Sequence, residues 1–146
     1  MKIQEKDIYH GAALTQIVEH PSFKALNRAT QKYGHYLINT DHHVLVKYRK
    51  SPRSPYIFQL QPEELSHLAS VITSNSKVFF CFVCGKETVC ALDKNELLTV
   101  LDLASLTRQS VRVEIPRGGS CHVSGTAGKL SRAVPHNSFP DKVFGE

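Results

Sequence analysis

The stretch from Val78 to Cys84, VFFCFVC, is apolar at seven consecutive positions and constrains the fold more than any other feature of the chain. A strand with one wet face alternates apolar and polar residues, whereas a run apolar on both alternating faces belongs to a strand covered on both sides. Layers must therefore lie above and below it. The run is far short of the ~20 residues that cross a bilayer, so no membrane span or membrane partner is expected. Gly85-Lys86-Glu87 turns the chain, and Thr88 to Leu92 reads as the strand returning beside it.

The remaining elements supply those layers. Gln61-Pro62-Glu63-Glu64 opens a helix, with proline in the first turn and acids at the positive end of the dipole. Leu65, Leu68, Ala69 and Ile72 then fall on one face at i, i+3, i+4 and i+7. Asp93 with Glu96 predicts a capping box ahead of Leu97, Leu98, Leu101 and Ala104. In the first third, Ile8, Ala12, Leu14, Ile17 and Val18 predict a helix that Pro21 interrupts and that Phe23, Leu26 and Ala29 resume until Gly34.

His35 to Asn39 and His43 to Arg49 flank the turn-prone Thr40-Asp41-His42 and predict a β-hairpin. The two Ser-Pro steps of Ser51 to Pro55 predict a loop, followed by a short strand from Tyr56 to Leu60. Val111, Val113 and Ile115 alternate with Arg112 and Glu114, and Arg117-Gly118-Gly119 turns into a last strand from Cys121 to Ser124. The expected class is α/β (or α+β), with a mixed central β-sheet of about six or seven strands flanked by helices. Residues 1–125 are expected to form a single compact domain, and 126–146 a loosely structured tail pinned by Phe139 and Phe144.

At 146 residues, 41% of them hydrophobic, the chain suits one domain rather than two. The opening MKIQEKDIYHG has no signal-peptide core, which predicts a cytoplasmic or other intracellular protein. In a reducing compartment Cys81, Cys84, Cys90 and Cys121 are expected as free packing thiols. The CxxCG spacing of Cys81 and Cys84 resembles a zinc knuckle, with Cys121 and His122 as later donors. In an extended strand, however, Cys81 and Cys84 point to opposite faces, so no metal site is expected. His42 and His43 face opposite ways for the same reason, and His10, His20, His67 and His136 have no partner at ligand spacing.

A net charge of +5 permits nucleic-acid binding through phosphate neutralisation. The strongest patch is Lys47, Arg49, Lys50 and Arg53, interleaved with Tyr48 and Tyr56. Cations there can grip phosphates while a tyrosine stacks on a base. The alternative is a solvated edge whose charges and prolines resist strand pairing. The glycine-rich runs at Arg117 to Ser120 and Gly125 to Lys129 lack the spacing of a phosphate loop and read as turns.

The order of helix, hairpin ending in Lys47, loop, short strand, amphipathic helix, apolar strand, returning strand and helix resembles the restriction-endonuclease-like (PD-(D/E)XK nuclease) superfamily over roughly residues 8 to 105. The resemblance implies two acids holding Mg²⁺ and a lysine positioning the attacking water. The chain departs from that pattern: the triplet ending at Lys47 starts with Leu45, and the opening acid belongs near Tyr33 to His35. Asp41 is the nearby carboxylate, and Glu19 is the other acid an active centre would need. The expectation is therefore a nucleic-acid-associated domain with a nuclease-like fold, an incomplete hydrolytic centre and no cofactor, whose partner is DNA or RNA. The alternatives are a protein-interaction or regulatory module with a protein partner, and an active Mg²⁺-dependent nuclease built on Lys47, Asp41 and Glu19.

Overall fold

The computed structural model describes residues 1–31, 34–105 and 107–145. The chain runs through helix α1 (Glu5–Val18), strands β1 (Leu26–Arg28), β2 (His35–Ile38), β3 (His42–Arg49) and β4 (Tyr56–Leu60), and helix α2 (Pro62–Ser74). Strands β5 (Val78–Cys84) and β6 (Thr88–Asp93), helix α3 (Lys94–Val100), strands β7 (Gln109–Glu114) and β8 (His122–Gly125) and a 3-10 turn at Asp141–Phe144 follow.

The apolar run is β5, and it lies inside a five-stranded sheet of order β1-β2-β3-β5-β6. It pairs parallel with β3 and antiparallel with β6. Its alternate residues feed two cores. Phe80, Phe82 and Cys84 join Leu45 from β3 and Leu65, Leu68, Val71 and Ile72 from α2. Cys81 and Val83 join Val44 and Val46 from β3 and Tyr9, Ala13 and Ile17 from α1.

The expected single sheet is in fact two. β4, β7 and β8 form a separate antiparallel sheet of three strands. It packs on the α2 side of the larger sheet, where the rings of Phe58 and Phe82 lie 4.8 Å apart. β4 buries Tyr56, Phe58 and Leu60 and exposes Ile57 and Gln59. That alternation identifies a strand with one wet face, but not which strand will pair with it.

The helix expected to resume after Pro21 is replaced by β1, which pairs with β2 through Leu26 and Ile38. Asn39, in the hairpin turn at φ 60, explains the change. Its Oδ1 accepts from Lys24 N at 2.6 Å and Ala25 N at 3.1 Å, and its Nδ2 donates to Ser22 O at 2.8 Å. A single side chain thus satisfies backbone groups that a helix would have paired internally, and holds them extended.

The phase of α1 also differs. Its buried face is Tyr9, Ala13 and Ile17, while Ile8 and Val18 are exposed. Leu98 in α3 is exposed as well. Residues 126–145 carry little regular structure, yet Val134, Phe139 and Val143 are buried and Phe144 stacks on His20 at 4.3 Å. The capping boxes of α2 and α3 form at Gln61 with Glu64 and at Asp93 with Glu96.

Candidate functional site

β2 and β3 part company halfway along β3. Their last paired rung is His35 with Leu45, and Val46 N donates to Gly34 O at 2.7 Å. Gly34 is required at the parting: a Cβ there would meet Val46 O and the His10 ring, each at 2.6 Å. Beyond it β3 continues through Lys47, Tyr48 and Arg49, paired on its other edge with β5. Among the described residues no strand pairs with the edge that β2 has left.

A cleft of about 730 Å³ lies there, lined by β3 and the residues after it, by Glu5 and His10 from α1, and by Glu64 and His67 from α2. The two helices cover opposite faces of the sheet, so an opening at its edge draws side chains from both. Lys47, Arg49 and Lys50 face Glu5 and Glu64 in this lining, which leaves one net positive charge.

Most of those charges are already matched. Lys47 Nζ lies 2.8 Å from Glu64 Oε2, and both side chains are about three-quarters buried. Lys50 Nζ lies 3.1 Å from Glu5 Oε2, and the Tyr48 hydroxyl donates to Glu5 Oε1 at 3.1 Å. Those bonds, Lys50 first and Tyr48 second, hold the Glu5 carboxyl below the usual carboxylate range. The Tyr48 ring stacks on Tyr9 at 4.8 Å and 8°. Among the described residues the exposed guanidinium groups of Arg49 and Arg53 take part in no ion pair.

Three histidines meet beside the cleft. His35 Nδ1 is 3.0 Å from His67 Nε2, and His35 Nε2 is 3.0 Å from His43 Nδ1. Burial, followed by His67 and His43, pushes His35 down to about 4. Burial also lowers His67 and, more than Lys6 does, His10, whose Nδ1 is 3.2 Å from the Tyr36 hydroxyl.

The residues singled out from sequence divide between this cleft and other places. Lys47, Tyr48, Arg49 and Lys50 line it, and Arg53 stands in the adjoining loop. Tyr56, expected to stack on a base, is instead fully buried, with its hydroxyl donating to Glu87 at 2.9 Å; its ring fills the core between the sheets and faces no ligand. Asp41 sits at the far end of the hairpin, 2.9 Å from Lys77 and 2.7 Å from His42. Six residue steps along the strand separate it from Lys47, about 20 Å of extended chain. Glu19 caps the C-terminus of α1, exposed to solvent. Lys47, Asp41 and Glu19 therefore do not share a cleft. Of the positions for an opening acid, Tyr33 lies outside the described residues, and Gly34 and His35 occupy the other two. Cys81 and Cys84 belong to the two opposite cores.

Glu5, His10, His35, His43, Glu64 and His67 are functional candidates that spacing did not reveal. One signal was present for two of them. With the turn centred on Thr40, His43 pairs with Leu37, which puts it on the same face as His35, one diagonal step away. His67 joins them only because α2 crosses that face.

No family model, curated protein or solved structure matches the chain.

Proposed function

We propose that the protein is a nucleic-acid-associated domain of restriction-endonuclease-like layout that holds phosphate backbone along the open edge of β3. The observation that carries this reading is the pair of exposed arginines, Arg49 and Arg53, without carboxylate partners beside a cleft whose other cations are held by Glu5 and Glu64. A guanidinium with no internal partner is suited to two-pronged recognition of a phosphate. Supporting the layout are the hairpin β2-β3 ending near Lys47, the crossover through α2, the parallel strand β5 and the returning strand β6.

Mg²⁺, which a nuclease of this kind would use, fits the residues poorly. A hard cation asks for several oxygen ligands. Glu64 and Glu5 are each engaged by a lysine, and among the described residues no group of three or more His, Cys, Asp or Glu side chains is arranged to hold a metal ion. The reading is therefore of binding with an incomplete hydrolytic centre. Backbone amide shifts on adding a short single-stranded oligonucleotide test it: changes should centre on Gly34, residues 47–53 and His67. Changes confined to another surface would remove the cleft from the account.

A further inference from the structure

His35 stands between two other imidazoles, and this arrangement restricts where protons can be. A neutral imidazole has one N–H and one bare nitrogen, so each 3.0 Å contact is a hydrogen bond only when one ring donates and the other accepts. Neutral His35 must donate to one neighbour while accepting from the other. Two arrangements satisfy both bonds. In one, His67 Nε2 donates to His35 Nδ1 and His35 Nε2 donates to His43 Nδ1; in the other every tautomer is reversed. Passing between them shifts one proton within each bond, so a proton gained at one end appears at the other.

The chain also has room for a single extra proton. An imidazolium at either end still donates inward. Two end imidazoliums do not fit, because neutral His35 offers one acceptor. A cation on His35 itself would satisfy both bonds, but burial, with His67 and His43 beside it, pushes that ring down to about 4. The charge therefore resides at an end. His67 lines the cleft with Lys47 and Glu64, whereas His35 and His43 are not part of that lining.

We propose that His43, His35 and His67 form a one-proton relay opening on the cleft, and that a phosphate group bound beside Arg49 draws the proton to His67. This second half rests on the phosphate-binding reading above. The charged groups around the relay are paired at both ends except Arg49, the unmatched cation of the cleft. Lining the cleft with His67 are Lys47 with Glu64, Lys50 with Glu5, and His10 from α1. Near His43 stand Asp41 with Lys77 and His42. An incoming phosphate neutralises Arg49 and so lifts the repulsion that disfavours a second cation in the cleft, favouring the imidazolium at the cleft end.

The test combines two measurements on the full chain. Nitrogen-15 spectra of the imidazoles across pH report which ring takes the proton, and calorimetry of a thymidylate tetramer in buffers of different ionisation enthalpy counts protons taken up on binding. The relay predicts a His35 that stays neutral down to about pH 5, and one proton gained per ligand above the midpoint of His67. Affinity then rises by up to about tenfold per unit fall in pH. His43→Phe removes the competing end of the relay without touching the cleft, so His67, which in the wild type shares a single proton with His43, should take up its proton in one complete step. An unchanged His67 titration curve in a folded His43→Phe protein, or three wild-type rings that titrate independently, would overturn the relay. Tetramer binding with no proton uptake would overturn the coupling alone, and no binding at all would remove the phosphate reading with it.

Discussion

Lys47 and Glu64 join the open edge of β3 to the first turn of α2, with 2.8 Å between Nζ and Oε2. Glu64 has a second duty there, since its Oε1 accepts from Gln61 N at 3.2 Å in the capping box. Glu64→Gln keeps an acceptor for the cap while removing the charge that occupies Lys47. We expect oligonucleotide affinity to rise about 3- to 10-fold, or 0.7 to 1.4 kcal/mol, for a stability cost of about 1 kcal/mol. Lys47→Met should weaken binding. Fluorescence anisotropy and urea unfolding measure both, and equal affinities in the two variants would exclude Lys47 from the contact surface.

Gly85 allows the loop after β3 to lie against the β5-β6 turn. Its N–H donates to Arg49 O at 2.9 Å, its φ is +54, and a Cβ would stand 2.5 Å from Ser51 O. Gly85→Ala should destabilise the fold by about 1 to 3 kcal/mol through strain and backbone overlap. It should also weaken oligonucleotide binding by displacing Arg49. Denaturation and binding of the same preparation settle both effects.

His35 makes stability depend on pH. Its folded value of about 4 lies below the ordinary 6.5, so between those values the unfolded chain holds a proton that the folded ring refuses. Stability is accordingly full above about pH 6.5 and falls as pH drops towards about 4, with an upper bound near 3 kcal/mol. His35→Gln keeps a donor and an acceptor but does not titrate, and should flatten that slope. A wild-type protein as stable at pH 4.5 as at pH 7 would contradict the burial of a neutral imidazole.

Burial pushes the Cys81 thiol up to about 12, and Cys84 is also raised, chiefly by burial. Neither forms a thiolate readily, and they sit on opposite faces of β5. Folded protein should react with a disulfide reagent at these positions only as fast as it unfolds. It should also keep its melting temperature in a strong chelator. One tightly held zinc per chain, lost with the fold, would overturn this.

The fold was legible where local pattern and tertiary role coincide. Val78 to Cys84 could only be a doubly covered strand, and Asp93 with Glu96 marked a helix start that exists. Leu26 was misleading because Asn39, thirteen residues on, decides its backbone conformation. β4 showed its buried face but not its sheet, since partner choice depends on surfaces assembled from β7 and β8. At the site, Lys47 and Arg49 were visible as charges on a strand. The carboxylate that meets Lys47 was not, because it comes from a helix seventeen residues away whose rotation no spacing rule fixes.

The central claim, that the open edge of β3 and the loop after it grip phosphates, is tested most directly by the salt dependence of oligonucleotide binding. Four contacts from Lys47, Arg49, Lys50 and Arg53 to a single strand predict a log-log slope near −2.8, at about −0.7 per contact. Replacing both Arg49 and Arg53 by Glu should bring the slope to about −1.4 or abolish binding, while unfolding free energy changes by no more than ~0.5 kcal/mol. Undetectable or salt-insensitive binding of every nucleic acid at low ionic strength would contradict the account and leave a protein-interaction module as the reading to pursue.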